Sequence, residues 1–159
     1  MSVSDSLTID VPQGQGSIQY FVLEPNLPQN GKPGTWHFKT IDGDGNTQEI
    51  ENLDIVFSKN SNWLQRQSET CVLVVTMNKP GWRFALGGTK SCKNDSNTAD
   101  VLHDVTSEIS GNGKVLTSFV KSLGNLDETI GFSFVAAHVS DDGTTTIFQS
   151  PDPGTTIRR

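Results

Sequence analysis

The chain has 159 residues and a formal net charge of −6 at pH 7. That length suits a single domain spanning residues 1–159, and the negative charge argues against a nucleic-acid partner because its phosphates would be repelled. The longest apolar runs, 72–75 and 134–137, are far shorter than the ~20 residues that cross a bilayer, so no membrane association is expected. The first residues have neither a basic start nor an apolar stretch, which predicts a cytoplasmic protein.

The residue composition indicates an all-β fold. Val, Ile and Thr number 38 together, whereas Ala and Glu number 10. Branched side chains lose rotamer freedom in a helix but pack well on a pleated sheet, so this ratio favours strands. Asp and Asn, with 12 and 11 copies, suit turns because their short side chains bond to the nearby backbone. We therefore predict many short strands joined by polar turns.

Alternation of apolar and polar residues places the strands along the chain. In order, strand-like segments cover 7–11, 17–23, 35–41, 47–50, 53–57, 70–77, 82–86, 101–109, 114–120, 130–139 and 144–149. Segment 70–77 is apolar on both faces, which predicts a central strand. The segments 26–34, 58–69 and 87–97 are polar or rich in Pro and Gly, and we predict loops there.

The spacing of these segments predicts an antiparallel two-sheet β-sandwich. We expect it to be immunoglobulin-like, with about eight or nine strands and at most one short helix. The helix would lie in 99–109, where the apolar residues fit a helical face as well as a strand, and of the two interpretations we choose a strand from residue 101.

Two segments of the chain resemble each other. Residues 32–38 and 79–84 both contain Lys-Pro-Gly followed by Trp-x-Phe, with one residue inserted in the first segment. Pro and Gly at these positions predict a type II turn, and the Trp and Phe lie on one face of the strand that follows. Either the two turns simply bring aromatic pairs into the core, or His37 and Arg83, on the opposite strand faces, form a mixed polar site.

A short acidic segment resembles the beginning of a calcium-binding loop. Asp42, Asp44 and Asn46 place side-chain oxygens at alternate positions, which suits a hard cation. The pattern then fails, because Thr47 stands at the position of the loop glycine and Leu53 at that of the final glutamate. A solvated turn is therefore favoured over a metal site.

The sequence contains no complete motif for nucleophilic or phosphate-binding chemistry. Residues 131–135 begin like a nucleophile elbow but lack its final Gly, and 14–16 lacks the third Gly of a dinucleotide loop. Cys71 lies in an apolar strand and is expected in the core, while Cys92 has no His close in sequence to activate it. We therefore predict that the protein is not an enzyme and has no cofactor.

The polar segment 59–66 contains an aromatic residue that no alternation buries. Trp63 lies among Asn62, Gln65 and Arg66. Such a tryptophan folds back over the core as a lid, anchors a protein partner, or stacks on a sugar ring whose hydroxyls bind the polar neighbours. The lid is the first of these hypotheses, the protein anchor the second and the sugar platform the third.

These observations predict a non-enzymatic binding or assembly module that recognises a protein partner, or itself, through loops or an edge strand. The alternative is a lectin-like, carbohydrate-binding domain that uses Trp63, with or without a calcium ion at Asp42, Asp44 and Asn46. A small hydrolase with an unrecognised site is the last alternative. The candidate residues for binding a ligand or partner are Trp63, Asn62, Gln65, Arg66, His37 and Arg83.

Overall fold

A computed structural model describes residues 6–93, 103–122, 130–151 and 155–159. In these residues the chain forms 12 strands and one short helix. The elements are β1 (Ser6–Val11), β2 (Gly16–Glu24), β3 (His37–Ile41), β4 (Thr47–Glu49), β5 (Asn52–Phe57), α1 (Trp63–Ser68), β6 (Thr70–Met77), β7 (Trp82–Lys93), β8 (His103–Ser110), β9 (Val115–Ser122), β10 (Ile130–Val139), β11 (Thr145–Gln149) and β12 (Thr155–Arg158). The helix found in this part of the chain is too short and polar to cross a membrane.

Two six-stranded sheets pack face to face. One, the β6 sheet, has the order β4-β3-β2-β6-β9-β8, so β6 is an interior strand as predicted. The other, the β10 sheet, is built around β10, which pairs with β7 along one edge. The other edge of β10 pairs first with β12 and then with β11, and β5 and β1 extend the sheet beyond β12. The predicted β-sandwich is confirmed.

The strand pairing differs from the prediction in number and direction. The described ranges contain 12 strands rather than eight or nine, which exceeds the seven or nine of an immunoglobulin domain. Three pairs are parallel, namely β1 with β5, β12 with β5 and β2 with β6, so the sheets are mixed rather than antiparallel. Side chains alternate with the same period in both kinds of pairing, so the sequence pattern does not reveal direction.

Some predicted boundaries are wrong. The short helix lies at Trp63–Ser68, inside the segment predicted as a loop, whereas β8 begins at His103, in line with the chosen strand. Residues 99–102 lie outside the described residues. Residues 87–93 belong to strand β7 rather than to a loop, and 94–97 are likewise not described. The last strand, Thr155–Arg158, was not predicted.

Strand β7 looks like a loop in the sequence because it contains an irregular, glycine-rich step. Leu86, Gly87 and Gly88 all have positive φ values, and the pairing of β7 with β10 shifts register nearby. A Cβ atom at Gly88 would lie 2.3 Å from Cδ1 of Leu116 in the opposite sheet, so glycine permits the close approach. Gly-rich sequence here marks a bulge within a strand, not its end.

The hydrophobic core lies between the two sheets. Its fully buried side chains include Phe21, Leu53, Ile55, Phe57, Leu73, Val75, Leu116, Val120, Phe132 and Ile157. Cys71 is also fully buried, and burial raises the pKa of its thiol to about 12, which confirms its predicted place in the core and leaves no thiolate at neutral pH. The aromatic pairs of both Lys-Pro-Gly segments join this core, and Trp36 contacts Trp82 edge to face.

Candidate functional site

The side chain of Trp63 is not a lid over the core. Trp63 is the first residue of helix α1, and its side chain is 65% exposed. The side chain of the next residue, Leu64, is 77% exposed. The prediction that Trp63 folds back is therefore wrong. The apolar side chains in the first turn of the helix face water. The helix is held to the protein by Arg66 and Glu69, which lie nearer its C-terminal end and are buried.

The two amide side chains beside Trp63 cap helix α1. Asn62 is the N-cap, and its Oδ1 accepts from the backbone N–H of Gln65 at 2.8 Å. Oε1 of Gln65 accepts in return from the N–H of Asn62 at 2.9 Å, and also from Nε2 of Gln13 at 3.0 Å. This reciprocal capping uses the side-chain oxygens of the two amides that the sugar hypothesis assigned to a ligand.

Arg66 is buried, although it follows the exposed Trp63 by three positions on helix α1. Its Nε donates to the carbonyl of Ser61 at 3.1 Å, and burial lowers the pKa of its guanidinium. Next to it, Nη2 of Arg159 contacts Oε1 of Glu69 at 2.7 Å, and both of these side chains are almost fully buried. Arg66 therefore belongs to a buried charged cluster, and its burial argues against the predicted role in binding a ligand or partner.

The buried cluster gives both oxygens of the Glu69 carboxylate hydrogen-bond donors. Oε2 of Glu69 accepts from the N–H of Gly14 at 2.9 Å and from the hydroxyl of Ser61. Burial by itself would raise the pKa of Glu69, but these hydrogen bonds and the guanidinium of Arg159 together lower it below its ordinary value. Arg159 also donates to the carbonyl of Ser122, so the cluster joins Arg159 to the end of β9 and, through Glu69, to the C-terminal end of α1.

His37 and Arg83 do not form a shared site. Nδ1 of His37 on β3 contacts Oε1 of Glu49 on the neighbouring strand. Arg83 lies on β7 in the other sheet, where it is exposed and packs against Gly113. The prediction of a mixed polar site from these two residues is wrong, because strand alternation turns the two side chains to the outer faces of opposite sheets.

The acidic segment closes its own turn. Oδ1 of Asp42 accepts from the N–H groups of Asp44 and Asn46, both at 2.9 Å. These hydrogen bonds, first of all the one from the N–H of Asn46, lower the pKa of Asp42. The predicted turn is confirmed, and within the described ranges no three His, Cys, Asp or Glu side chains are placed to hold a metal ion. Cys92 lies on β7, but its side chain is outside the description.

A site that the sequence did not single out lies on the outer face of the β6 sheet. The strand register pairs Val72 of β6 with Ile18 of β2 on one side and with Phe119 of β9 on the other. It also pairs Tyr20 of β2 with Val74 of β6. Ile18 and Tyr20 are each 52% exposed, and the other three side chains are partly exposed. Paired residues share a face, so these five side chains form one apolar surface, which we call the outer patch.

The outer patch departs from the usual pattern of a sandwich. Outward positions of a two-layer sheet are normally polar, and apolar patches on monomers are small. Strand β6 instead carries branched side chains on both faces, which is the signal that predicted an interior strand. The prediction that β6 is an interior strand is correct. Its outward apolar side chains, however, belong to a surface that no described residue covers.

Charged side chains border the outer patch at both ends of the strands. At one end, the Glu24 carboxylate accepts from Nζ of Lys39 at 3.3 Å; burial would raise its pKa, but the bonds from Lys39 and Asn78 lower it overall. At the other end, Lys121 lies two residues beyond Phe119 on the same face, and its Nζ donates to the carbonyl of Gln67 at 2.8 Å. An apolar centre with a polar rim is the usual anatomy of a protein interface.

Comparison with family models places the whole fold in one family. The model described as the DP-EP family matches residues 5–159, which is almost the entire chain. No curated protein matches the sequence. The family description names no activity, ligand or partner.

Proposed function

The chain belongs to the DP-EP family, and we propose that it is a non-enzymatic assembly module that binds a second copy of itself through the outer patch. The observation that carries this proposal is the exposure of Ile18 and Tyr20 beside three further apolar side chains. Burying apolar surface contributes about 25 cal/mol per Å², so covering such a patch favours association. The contact proposed here is a sheet face rather than the loops or edge strand expected from the sequence.

The rim of the patch favours a second copy as the partner. The Glu24 end and the Lys121 end lie at opposite ends of the strands, since β9 runs antiparallel to β6 and β2 runs parallel to it. A two-fold axis that lies in the interface and crosses the strands brings the Lys121 end of each copy to the end of the other that carries Glu24 and its ion-pair partner Lys39. Two-fold symmetry is the commonest arrangement of soluble oligomers, and it needs such self-complementarity.

A second candidate function is the binding of a different protein through Trp63 and Leu64. Both side chains are largely exposed on a helix that is fixed by its capping box and by buried Arg66. A rigid, exposed tryptophan is a typical anchor at protein interfaces. The carbohydrate alternative loses support, because Asn62 and Gln65 cap the helix. The cytoplasmic location and the absence of catalysis remain predictions.

Sedimentation equilibrium of the full chain over a range of concentrations tests the proposal. We expect a reversible dimer for the wild type and a monomer for Ile18→Lys, because the introduced ammonium would lie unpaired in the interface. Leu64→Lys makes the same chemical change at an exposed apolar residue on α1 and is expected to remain dimeric. A monomeric wild type, or a dimer that Ile18→Lys leaves intact, would contradict the proposal.

A further inference from the structure

The two Lys-Pro-Gly segments meet at one end of the sandwich. Lys32, Pro33 and Gly34 of the first segment and Lys79 and Pro80 of the second line a single groove of about 760 Å³. That volume is within the range of sites that bind small molecules. We call it the end groove. It lies where β2 and β10 end and β7 begins, at the opposite end of the sandwich from helix α1.

The walls of the end groove are fixed by close backbone contacts. A Cβ atom at Gly34 would lie 2.0 Å from the carbonyl oxygen of Asn26, so only glycine fits there. Nδ2 of Asn26 donates to the carbonyl of Thr35 at 2.8 Å, and its Oδ1 accepts from Nζ of Lys79 at 2.6 Å. Asn26 therefore joins the two segments and holds the ammonium of Lys79 at the groove wall.

The end groove carries basic groups without acidic ones. Its lining includes Lys32, Lys79, His37 and His138, and none of the lining residues that the structure describes is Asp or Glu. Glu49 contacts His37 but lies in a neighbouring depression. The groove therefore has an excess of basic side chains although the whole chain has a net charge of −6. The net charge of the chain does not predict the charge at this site.

The basic groups of the groove have unused hydrogen-bonding capacity. The only side-chain partner of Lys79 in the described residues is the neutral amide of Asn26. In the same residues Lys32 makes no side-chain hydrogen bond or ion pair, and the ring nitrogens of His138 make no hydrogen bond. The His138 ring lies against Trp82, with 5.0 Å between centroids, which leaves an aromatic wall beside these donors.

We propose that the end groove binds a small organic anion through phosphate or carboxylate oxygens. Lys32 from the first Lys-Pro-Gly segment and Lys79 from the second bind the anionic groups, and His138 donates a further hydrogen bond. Charge-assisted hydrogen bonds are the strong ones, so an anion gains more here than a neutral molecule of equal size. The proposal is independent of the outer patch, because no residue of the patch lines the groove.

Calorimetric titration of the full chain with pyrophosphate and with citrate tests this site, with glucose as a neutral probe. We expect at least one anion to bind with a dissociation constant of about 1 mM or tighter, and glucose not to bind. The two anions distinguish phosphate from carboxylate recognition. Absence of binding by both anions, or equal binding of glucose, would overturn the proposal.

Substitutions locate the binding. Lys79→Gln and Lys32→Gln are each expected to weaken binding of the anion about tenfold or more, which corresponds to losing a charged hydrogen bond. The side chain of Lys32 makes no hydrogen bond or ion pair in the described part of the chain, so its variant keeps the test valid if Lys79→Gln is unstable. Lys59→Gln, an exposed lysine at the opposite end of the sandwich, is the matched control and should bind like the wild type. Binding that neither groove variant weakens would refute the assignment.

Discussion

Two regions of this molecule reverse the usual distribution of polar and apolar groups, and they do so in opposite ways. Around Glu69, ionised side chains are buried between the end of the chain and helix α1. On the outer patch, Ile18 and Tyr20 are half exposed to water. Both arrangements are unfavourable unless a partner compensates, because unpaired buried charge and uncovered apolar surface each cost free energy.

The difference between these regions is where the partner is found. The Glu69 carboxylate receives hydrogen bonds from Gly14 and Ser61 and an ion pair from Arg159, all within the chain. The outer patch has no such cover among the described residues. A charge that is compensated inside the fold is structural, whereas we propose that a second molecule covers the apolar patch that the described residues leave exposed. This comparison is the basis of the proposal that the outer patch mediates assembly.

The largest expected effect is on the buried cluster. Glu69→Ala leaves the guanidinium of Arg159 buried without its carboxylate, and we expect a loss of about 3–5 kcal/mol in the free energy of unfolding. Urea denaturation at a fixed protein concentration measures it. Glu51→Ala, at an exposed glutamate, is the control and should cost less than about 0.5 kcal/mol. Equal effects of the two substitutions would show that the cluster is not needed for stability.

A pair of substitutions on one strand compares the two faces of the β6 sheet. Leu73→Ala removes a fully buried side chain and should cost about 2–5 kcal/mol, as for other core leucines. Val72→Ala, one residue earlier on the outer patch, should cost less than about 1 kcal/mol in the monomer but weaken the dimer. Urea denaturation at low protein concentration and sedimentation measure the two quantities. A large loss of monomer stability from Val72→Ala would mean that the patch is already covered.

The smallest expected effect is the pH dependence that Glu69 contributes. Because its pKa is lowered in the folded protein, the stability that it provides is complete above its ordinary value of 4.5 and is lost as the pH falls through the lowered pKa. The free energy of unfolding of the wild type should therefore fall more steeply in acid than that of Glu69→Gln, which has no carboxyl group there. Parallel curves for the two proteins would contradict this assignment.

The features that the sequence predicts correctly are those set by local pattern. Branched residues with period-two alternation predicted the sandwich, and the apolar segment 70–77 predicted an interior strand. The turn at Asp42 and the burial of Cys71 follow from neighbouring residues in the same way. These predictions need no knowledge of which strands meet.

The features that the sequence does not predict depend on contacts between distant residues. Glu69 and Arg159 are 90 positions apart, so no local pattern reveals that they pair or that Arg66 is buried beside them. The exposure of Trp63 depends on how the later residues of α1 are anchored to the protein. The local sequence does not show this anchoring, so the prediction of a lid is wrong. The repeated Lys-Pro-Gly segments were recognised in the sequence, but only the fold shows that they line one groove.

The most direct test of the central claim is to observe which side chains touch across the dimer. In an equimolar mixture of isotopically labelled and unlabelled chains, filtered NMR experiments detect contacts between the two copies alone. We predict intermolecular contacts from Ile18, Val72 and Phe119 of the labelled copy to the outer patch of the unlabelled one. Intermolecular contacts that involve Trp63 and Leu64 instead, or none at concentrations where the protein is dimeric, would contradict the account.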